Sequence, residues 1–124
     1  MPKNTISSNT VRSYSSGVAN RSLNQARTHH FIIDGSSDTG APEALAAPEV
    51  FLSGVSACAV NLMCRTSKSL EIPLTHSQVT IEGLRDSFDL KEVPAHFEQI
   101  KMVFEVWGPN SDQANELVKT YQHN

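Results

Sequence analysis

The side chains best suited to chemistry in this sequence are two thiols, Cys58 and Cys64, inside a long apolar segment. A cysteine acts as a nucleophile only as its thiolate, so a reactive cysteine requires a neighbouring cation that favours the charged form. A cysteine without such a neighbour usually packs as a small apolar side chain. The two thiols therefore indicate either redox chemistry or inert packing, and the elements around them decide which.

The spacing of the two thiols argues against a bond between them. Six residues along a helix correspond to a rise of about 9 Å, whereas a disulfide requires Cα atoms within about 7 Å of each other. A bond between Cys58 and Cys64 would therefore require the helix to unwind. We expect Cys64 to be a packing residue on another face of the helix.

The segment that contains both thiols, residues 47–68, has apolar residues on every side. Such a pattern predicts a helix that is buried at the centre of its domain. Pro48 suits the first turn of a helix, and Glu49 places a carboxylate near the positive end of the helix dipole. Lys68 lies near the opposite, negative end.

Strand-like segments precede and follow this helix, and a second helix closes the chain. The alternating patterns predict strands at residues 11–15, 18–25, 28–34, 76–84 and 97–107, with Gly83 as a possible bulge. Ser111 or Asp112 would cap the last helix, whose apolar stripe is Ala114, Leu117, Val118 and Tyr121. We expect residues 1–9 to be disordered. The pattern predicts one α+β domain over 1–124, with curved antiparallel sheets around the central helix and a homodimer that covers the sheet edges.

Length and charge limit the classes of function that this sequence allows. The 124 residues suffice for one domain, and no stretch approaches the roughly 20 apolar residues of a membrane span. Without a secretory signal we expect a cytoplasmic protein with free thiols. The net charge is −3, and the charged residues before Asp34 are Lys3, Arg12, Arg21 and Arg27. These cations are too sparse for a nucleic-acid surface. We expect neither nucleic acid nor a membrane as a partner.

The histidines do not follow the spacing of a metal site. No pair of them is separated by four residues on a helix, and adjacent strand residues point to opposite faces of a sheet. No glycine-rich phosphate loop is present either. We therefore predict no metal and no cofactor. The histidines are His29, His30, His76, His96 and His123.

Two motifs resemble those of the OsmC and organic hydroperoxide resistance (Ohr) proteins. They are the helix run PEVFLSGVSAC at residues 48–58 and the strand run VTIEG at 79–83. The resemblance extends from about Val11 to the end of the chain. It implies an OsmC-like fold, an intertwined homodimer and thiol-dependent reduction of organic, and possibly inorganic, hydroperoxides in oxidative-stress defence.

The resemblance also implies roles for particular residues. By position Cys58 is the thiol that attacks the peroxide, and an arginine favours its thiolate. Arg21 is the first choice for that arginine and Arg27 the second, with Glu49 as the carboxylate that orients it. The implied reductant is a dithiol or a lipoyl-type group. Such proteins carry a second cysteine beyond the region equivalent to 120–124, so we expect this sequence to lack the C-terminal part of the family domain.

Two other functions are compatible with these residues. One is a non-catalytic OsmC-like dimer that binds a small apolar ligand, in which Cys58 only packs. The other is a hotdog-type thioesterase, which also has a sheet around a long helix and in which Glu49 would be the acid. The apolar side chains expected to shape a pocket are Phe31, Phe51, Leu52 and Trp107.

Overall fold

The computed structural model of this chain describes residues 6–35, 40–85 and 97–123. The chain divides into two compact units, residues 1–50 and 51–124. Residues 6–9 are exposed and belong to no helix or strand. Residues 1–5, for which we expect disorder, and His96 lie outside the described residues.

The N-terminal unit is built on a three-stranded antiparallel sheet with the order β1-β2-β3. Its strands are β1 (Arg12–Ser15), β2 (Arg21–Ala26) and β3 (His29–Asp34). β2 begins three residues later than predicted because residues 18–20 form a turn, in which Arg21 N donates to Val18 O at 3.2 Å and Asn20 takes a φ of 63°. An asparagine tolerates this left-handed conformation better than most residues.

One face of this sheet carries both an apolar row and an ion pair. Tyr14 lies opposite Leu23, and Leu23 lies opposite Ile32. Arg21 lies opposite Asp34 two residues away on the same strands. Because side chains two residues apart share a face, the apolar row and the ion pair lie side by side.

Helix α1 (Ala47–Ser69) begins where Glu49 accepts a hydrogen bond from the backbone N of Ala46 at 2.8 Å. This bond is one half of a capping box, since alanine offers no side-chain acceptor in return. In the C-terminal unit, buried side chains follow one side of α1 at a spacing of four residues, namely Ala59, Met63 and Ser67. Met63 forms a core cluster with Ile72 and Leu117.

The opposite side of α1 is exposed, which corrects the expectation that the chain buries this helix on every side. The helix packs against its own unit along one stripe, and residues such as Phe51, 56% exposed, lie outside it. The sequence analysis predicted no membrane span, but α1 is long and apolar enough for one, judged by length and composition alone. Central helices of soluble proteins can have the same length and composition when another element or subunit covers them.

The C-terminal unit contains a long antiparallel pair, β4 (His76–Leu84) and β5 (Gln99–Trp107). Val79 pairs with Phe104 and Ile81 with Met102, and these four partly buried side chains share the inner face. The register runs without interruption past Gly83, so the bulge predicted there is wrong. A Cβ at this position would meet the ring of Phe97, which would have to shift.

Helix α2 (Ser111–His123) closes the chain. Its N-cap is Asn110, which precedes the predicted caps Ser111 and Asp112. The backbone N of Gln113 donates to Asn110 Oδ1 at 2.9 Å, and the backbone N of Asn110 donates to Gln113 Oε1 at 3.0 Å. These reciprocal bonds form a capping box. As predicted from the apolar stripe, Leu117 is buried in the core cluster.

Candidate functional site

Both thiols are free and exposed on α1. Together with Asn61 and Arg65 they line a surface groove of about 410 Å³ in the C-terminal unit. The prediction that Cys64 packs within the chain on a separate face is therefore wrong, since both cysteines open into the same groove.

Helix periodicity explains this groove. Cys58, Asn61 and Arg65 follow the spacing i, i+3 and i+7, which places them along one side of a helix. That side faces away from the buried stripe that contains Met63. Arg65 and Asn61 therefore line the same groove as the two thiols.

The charge of the groove is positive. Beyond Glu49, α1 contains no acidic residue, and its charged residues are Arg65 and Lys68. Among the described residues, no carboxylate lies within ion-pair distance of Arg65. The guanidinium of Arg65, which lines the groove with two thiols, has five N–H donors to offer an anion that enters it.

Arg21, the arginine predicted to assist Cys58, forms a buried ion pair within the N-terminal unit. Its Nε and Nη2 donate to the same oxygen, Asp34 Oδ2, at 3.1 and 2.9 Å. The Asp34 side chain is fully buried, and that of Arg21 is 21% exposed. Glu43 approaches the guanidinium at 3.7 Å, with its own side chain 78% exposed.

Asp34 also fastens the loop that leads to α1. Its Oδ2 accepts a hydrogen bond from Glu43 N at 3.0 Å, and its backbone N donates to Leu45 O at 2.9 Å. The pair with Arg21 thus joins the ends of β2 and β3 to the segment before the helix. Sequence reasoning missed this role of Asp34, although an acid that ends a strand on the same face as an arginine is a recognisable signal.

The other predicted members of the site lie in the N-terminal unit as well. The carboxylates on Arg21 are those of Asp34 and Glu43, whereas Glu49 is engaged at the start of α1. Arg27, the second choice, lies in the turn between β2 and β3, where it is exposed with a φ of 56°. The pairing of Arg21 with Cys58 and Glu49 stays a prediction.

The N-terminal sheet has an apolar groove of about 450 Å³. The apolar row of Tyr14, Leu23 and Ile32 lines it, together with Asn24, His30, Phe31 and Ala44. Asn24, 2% exposed, is satisfied by the chain itself, since its Oδ1 accepts from Ser13 Oγ at 2.6 Å and its Nδ2 donates to Phe31 O at 3.2 Å. Of the side chains predicted to shape a pocket, Phe31 is the one found here.

A solved structure of an OsmC-like protein from Mycoplasma pneumoniae aligns with this chain at a TM-score of 0.77, with 14% sequence identity. The alignment covers 94% of this chain and 81% of the other. The chain has an OsmC-like fold. A second solved structure, from structural genomics, aligns at a TM-score of 0.68 and 15% identity, and covers 89% of this chain and 78% of its own. No family model matches the sequence, and no curated protein sequence matches it.

The OsmC-like fold confirms the predicted class, an α+β protein with antiparallel sheets and one long helix. At this level of identity the likeness concerns the fold and not the chemistry. Within the described residues of this OsmC-like chain, no group of three or more His, Cys, Asp or Glu side chains is placed to hold a metal ion.

Proposed function

We propose that this protein is a homodimeric peroxidase that reduces organic hydroperoxides, with the Cys58 thiolate as the nucleophile. The observation that carries the proposal is the position of Cys58, an exposed thiol in a groove on the long helix of an OsmC-like fold. A peroxide needs access to the sulfur, which the exposed groove offers. The thiolate of Cys58 is the form that attacks.

In the proposed reaction the Cys58 thiolate attacks one oxygen of the hydroperoxide. An S–O bond forms and the O–O bond breaks, so the peroxide is reduced to an alkoxide, which takes up a proton and leaves as an alcohol. Cys58 is oxidised to a sulfenic acid, which is reversible by reaction with a thiol. A dithiol reductant would condense with the sulfenic acid, release water, and return Cys58 to the thiol by forming its own disulfide.

Exposed apolar side chains support the homodimer. Phe51, Leu70, Val103 and Trp107 are each more than two-fifths exposed in the single chain, and a second copy of the chain would remove this apolar surface from water. A second copy that covers these residues would also account for the membrane-like length and composition of α1 without a bilayer. The thiol groove has to stay open to small molecules in this dimer. We place the protein in the cytoplasm, where thiols are kept reduced.

The test is direct oxidation of the full-length protein by cumene hydroperoxide, with the sulfenic acid trapped by dimedone and located by peptide mass spectrometry. We expect stoichiometric loss of one thiol and a dimedone adduct on Cys58. The Cys58→Ser variant should lose peroxide consumption, and the matched Cys64→Ser variant should retain it. Peroxide consumption that persists in Cys58→Ser, or an unmodified Cys58 in the wild type, would overturn the proposal.

The apolar groove of the N-terminal sheet favours a second candidate, a dimer that binds a small apolar ligand. The groove has the volume of a small-molecule site and a mostly apolar lining. The probe is a fluorescent fatty acid such as cis-parinaric acid. Binding that is lost in Leu23→Glu but unchanged in Cys58→Ser would support this function, and no binding by the wild type would exclude this probe's class of ligand.

A further inference from the structure

The groove beside Cys58 contains recognition groups that attack on a peroxide does not require. Arg65 and Asn61 line it with both thiols, and the groove is large enough for a molecule of several heavy atoms. A hydroperoxide group is uncharged and needs only access to the sulfur. A guanidinium and a carboxamide that line the same groove instead match a carboxylate.

We infer that this groove binds thiols that carry a carboxylate, and that Arg65 holds the carboxylate while the thiol reacts at Cys58. The inference rests on the proposed function, because it names the chemical class of the reductant that restores Cys58. Arg65 is here a positioning residue, since it would contact the incoming thiol and not the peroxide.

The spacing along α1 fits such a molecule. Cys58 and Arg65 are seven residues apart, a rise of about 10.5 Å on nearly the same side of the helix. An arginine side chain is long enough to span part of this rise, and both residues line one groove. A thiol whose sulfur and carboxylate are joined by two or three carbons would then contact Cys58 and Arg65 together.

The charges around the groove favour an anion over other thiols. Lys68 lies one turn beyond Cys64 on the exposed side of α1, and the helix has no acidic residue after Glu49. Asn61, between Cys58 and Arg65, would donate to the second carboxylate oxygen. A thiol with an ammonium group in place of the carboxylate would be repelled by the same two cations.

The steps balance with the thiol as the single co-reactant. A first thiol condenses with the Cys58 sulfenic acid, forming an S–S bond and releasing water. A second thiol attacks the outer sulfur of this mixed disulfide, so that Cys58 leaves as a thiolate and the two small thiols become a disulfide. Cys64 does not replace the first thiol, because its spacing from Cys58 on an intact helix exceeds the reach of a disulfide.

The experiment measures this recognition without a peroxide. In the full-length Cys64→Ser protein, Cys58 is converted to its mixed disulfide with 2-thiopyridine, which is uncharged. Stopped-flow absorbance then follows the release of 2-thiopyridone by three thiols that differ in charge: 3-mercaptopropionate, 2-mercaptoethanol and cysteamine. Each rate is divided by the rate of the same thiol with a short cysteine peptide, which removes the intrinsic reactivity of the thiol.

We expect Arg65→Met to lower the relative rate of 3-mercaptopropionate about fivefold, to change that of 2-mercaptoethanol by less than twofold, and to raise that of cysteamine. Arg65→Lys should retain part of the preference, because it keeps the charge and loses the planar pair of donors. The matched control is Arg12→Met, an exposed arginine on β1, which should change none of the ratios. Raising the ionic strength should reduce the preference in the wild type.

An unchanged preference for 3-mercaptopropionate in both Arg65 variants would overturn the inference, and so would a Cys58 that none of the three thiols can reach. Circular dichroism of each variant separates a lost charge from a lost fold, and Arg65→Lys serves if Arg65→Met does not fold. The assay also separates the two proposals. If Cys58 is not oxidised by cumene hydroperoxide, the proposed peroxidase function is rejected. A preference for anionic thiols that depends on Arg65 would still support the proposed selectivity of the groove.

Discussion

The guanidinium of Arg21 donates two hydrogen bonds to a single oxygen of the fully buried Asp34 carboxylate. The same oxygen accepts a third hydrogen bond, from the backbone N of Glu43. A buried carboxylate is tolerated only when such partners compensate its desolvation. Arg21 therefore has a structural role within the N-terminal unit, whatever its role toward Cys58.

This relationship predicts that removing either of the two carboxylates near Arg21 lowers the free energy of unfolding by a different amount. Asp34→Ala should lower the free energy of unfolding by about 3 to 5 kcal/mol, because it breaks a buried pair and frees the loop before α1. Glu43→Ala should change it by less than about 1 kcal/mol, since an exposed pair at longer distance contributes little. Urea unfolding followed by circular dichroism measures both. Equal losses in the two variants would contradict the geometry.

The choice between the two candidate arginines can be decided by kinetics. If Arg21 assists the thiolate, Arg21→Lys should slow the oxidation of Cys58 by cumene hydroperoxide at least about tenfold, because lysine cannot present the same paired donors. Arg27→Lys, in an exposed turn, is the control and should leave the rate unchanged. Asp34→Asn belongs in the same series, since it disturbs the position of Arg21 without removing its charge. A normal rate in Arg21→Lys together with a slow rate in Arg27→Lys would reverse the assignment.

Two neighbouring residues on α1 should respond in opposite ways to truncation. Met63 is 1% exposed in the core cluster, so Met63→Ala should cost about 2 to 5 kcal/mol. Cys64 is exposed, so Cys64→Ala should cost less than about 0.5 kcal/mol. Thermal or urea unfolding at low protein concentration gives both values. A cost above about 2 kcal/mol for Cys64→Ala would show that this thiol packs against another surface, such as a second copy of the chain.

The cap of α2 allows a further test. Asn110→Ala should destabilise the protein by about 1 kcal/mol, because the backbone N of Gln113 loses its acceptor. Ser111→Ala should have little effect, since Ser111 lies inside the first turn and is exposed. Gln113→Ala removes the other half of the box and should cost less than Asn110→Ala. Chemical unfolding of the three variants distinguishes this cap from the one expected from sequence.

Local signals in the sequence were enough to place the elements. Alternation of apolar residues located β4 at its observed bounds, and continuous apolarity located α1 to within a residue or two. The motif around Cys58 led to the OsmC-like fold, which the structural alignment confirms. The predicted bounds were wrong where a single residue changes the local conformation. Asn20 has a left-handed conformation, so β2 begins later than predicted, and Asn110 caps α2 in place of Ser111 or Asp112.

The sequence by itself determined which residues could do chemistry, because thiols, arginines and their spacing along one helix are local properties. It could not decide which side of α1 faces the core, since a helix with apolar residues all around has no preferred face. Only the packing of Met63 against Ile72 and Leu117 made that choice. The same packing turned Cys58, Asn61, Cys64 and Arg65 outward into one groove. The fold likewise paired Arg21 with Asp34, because the register of the β2–β3 hairpin sets these two residues opposite each other.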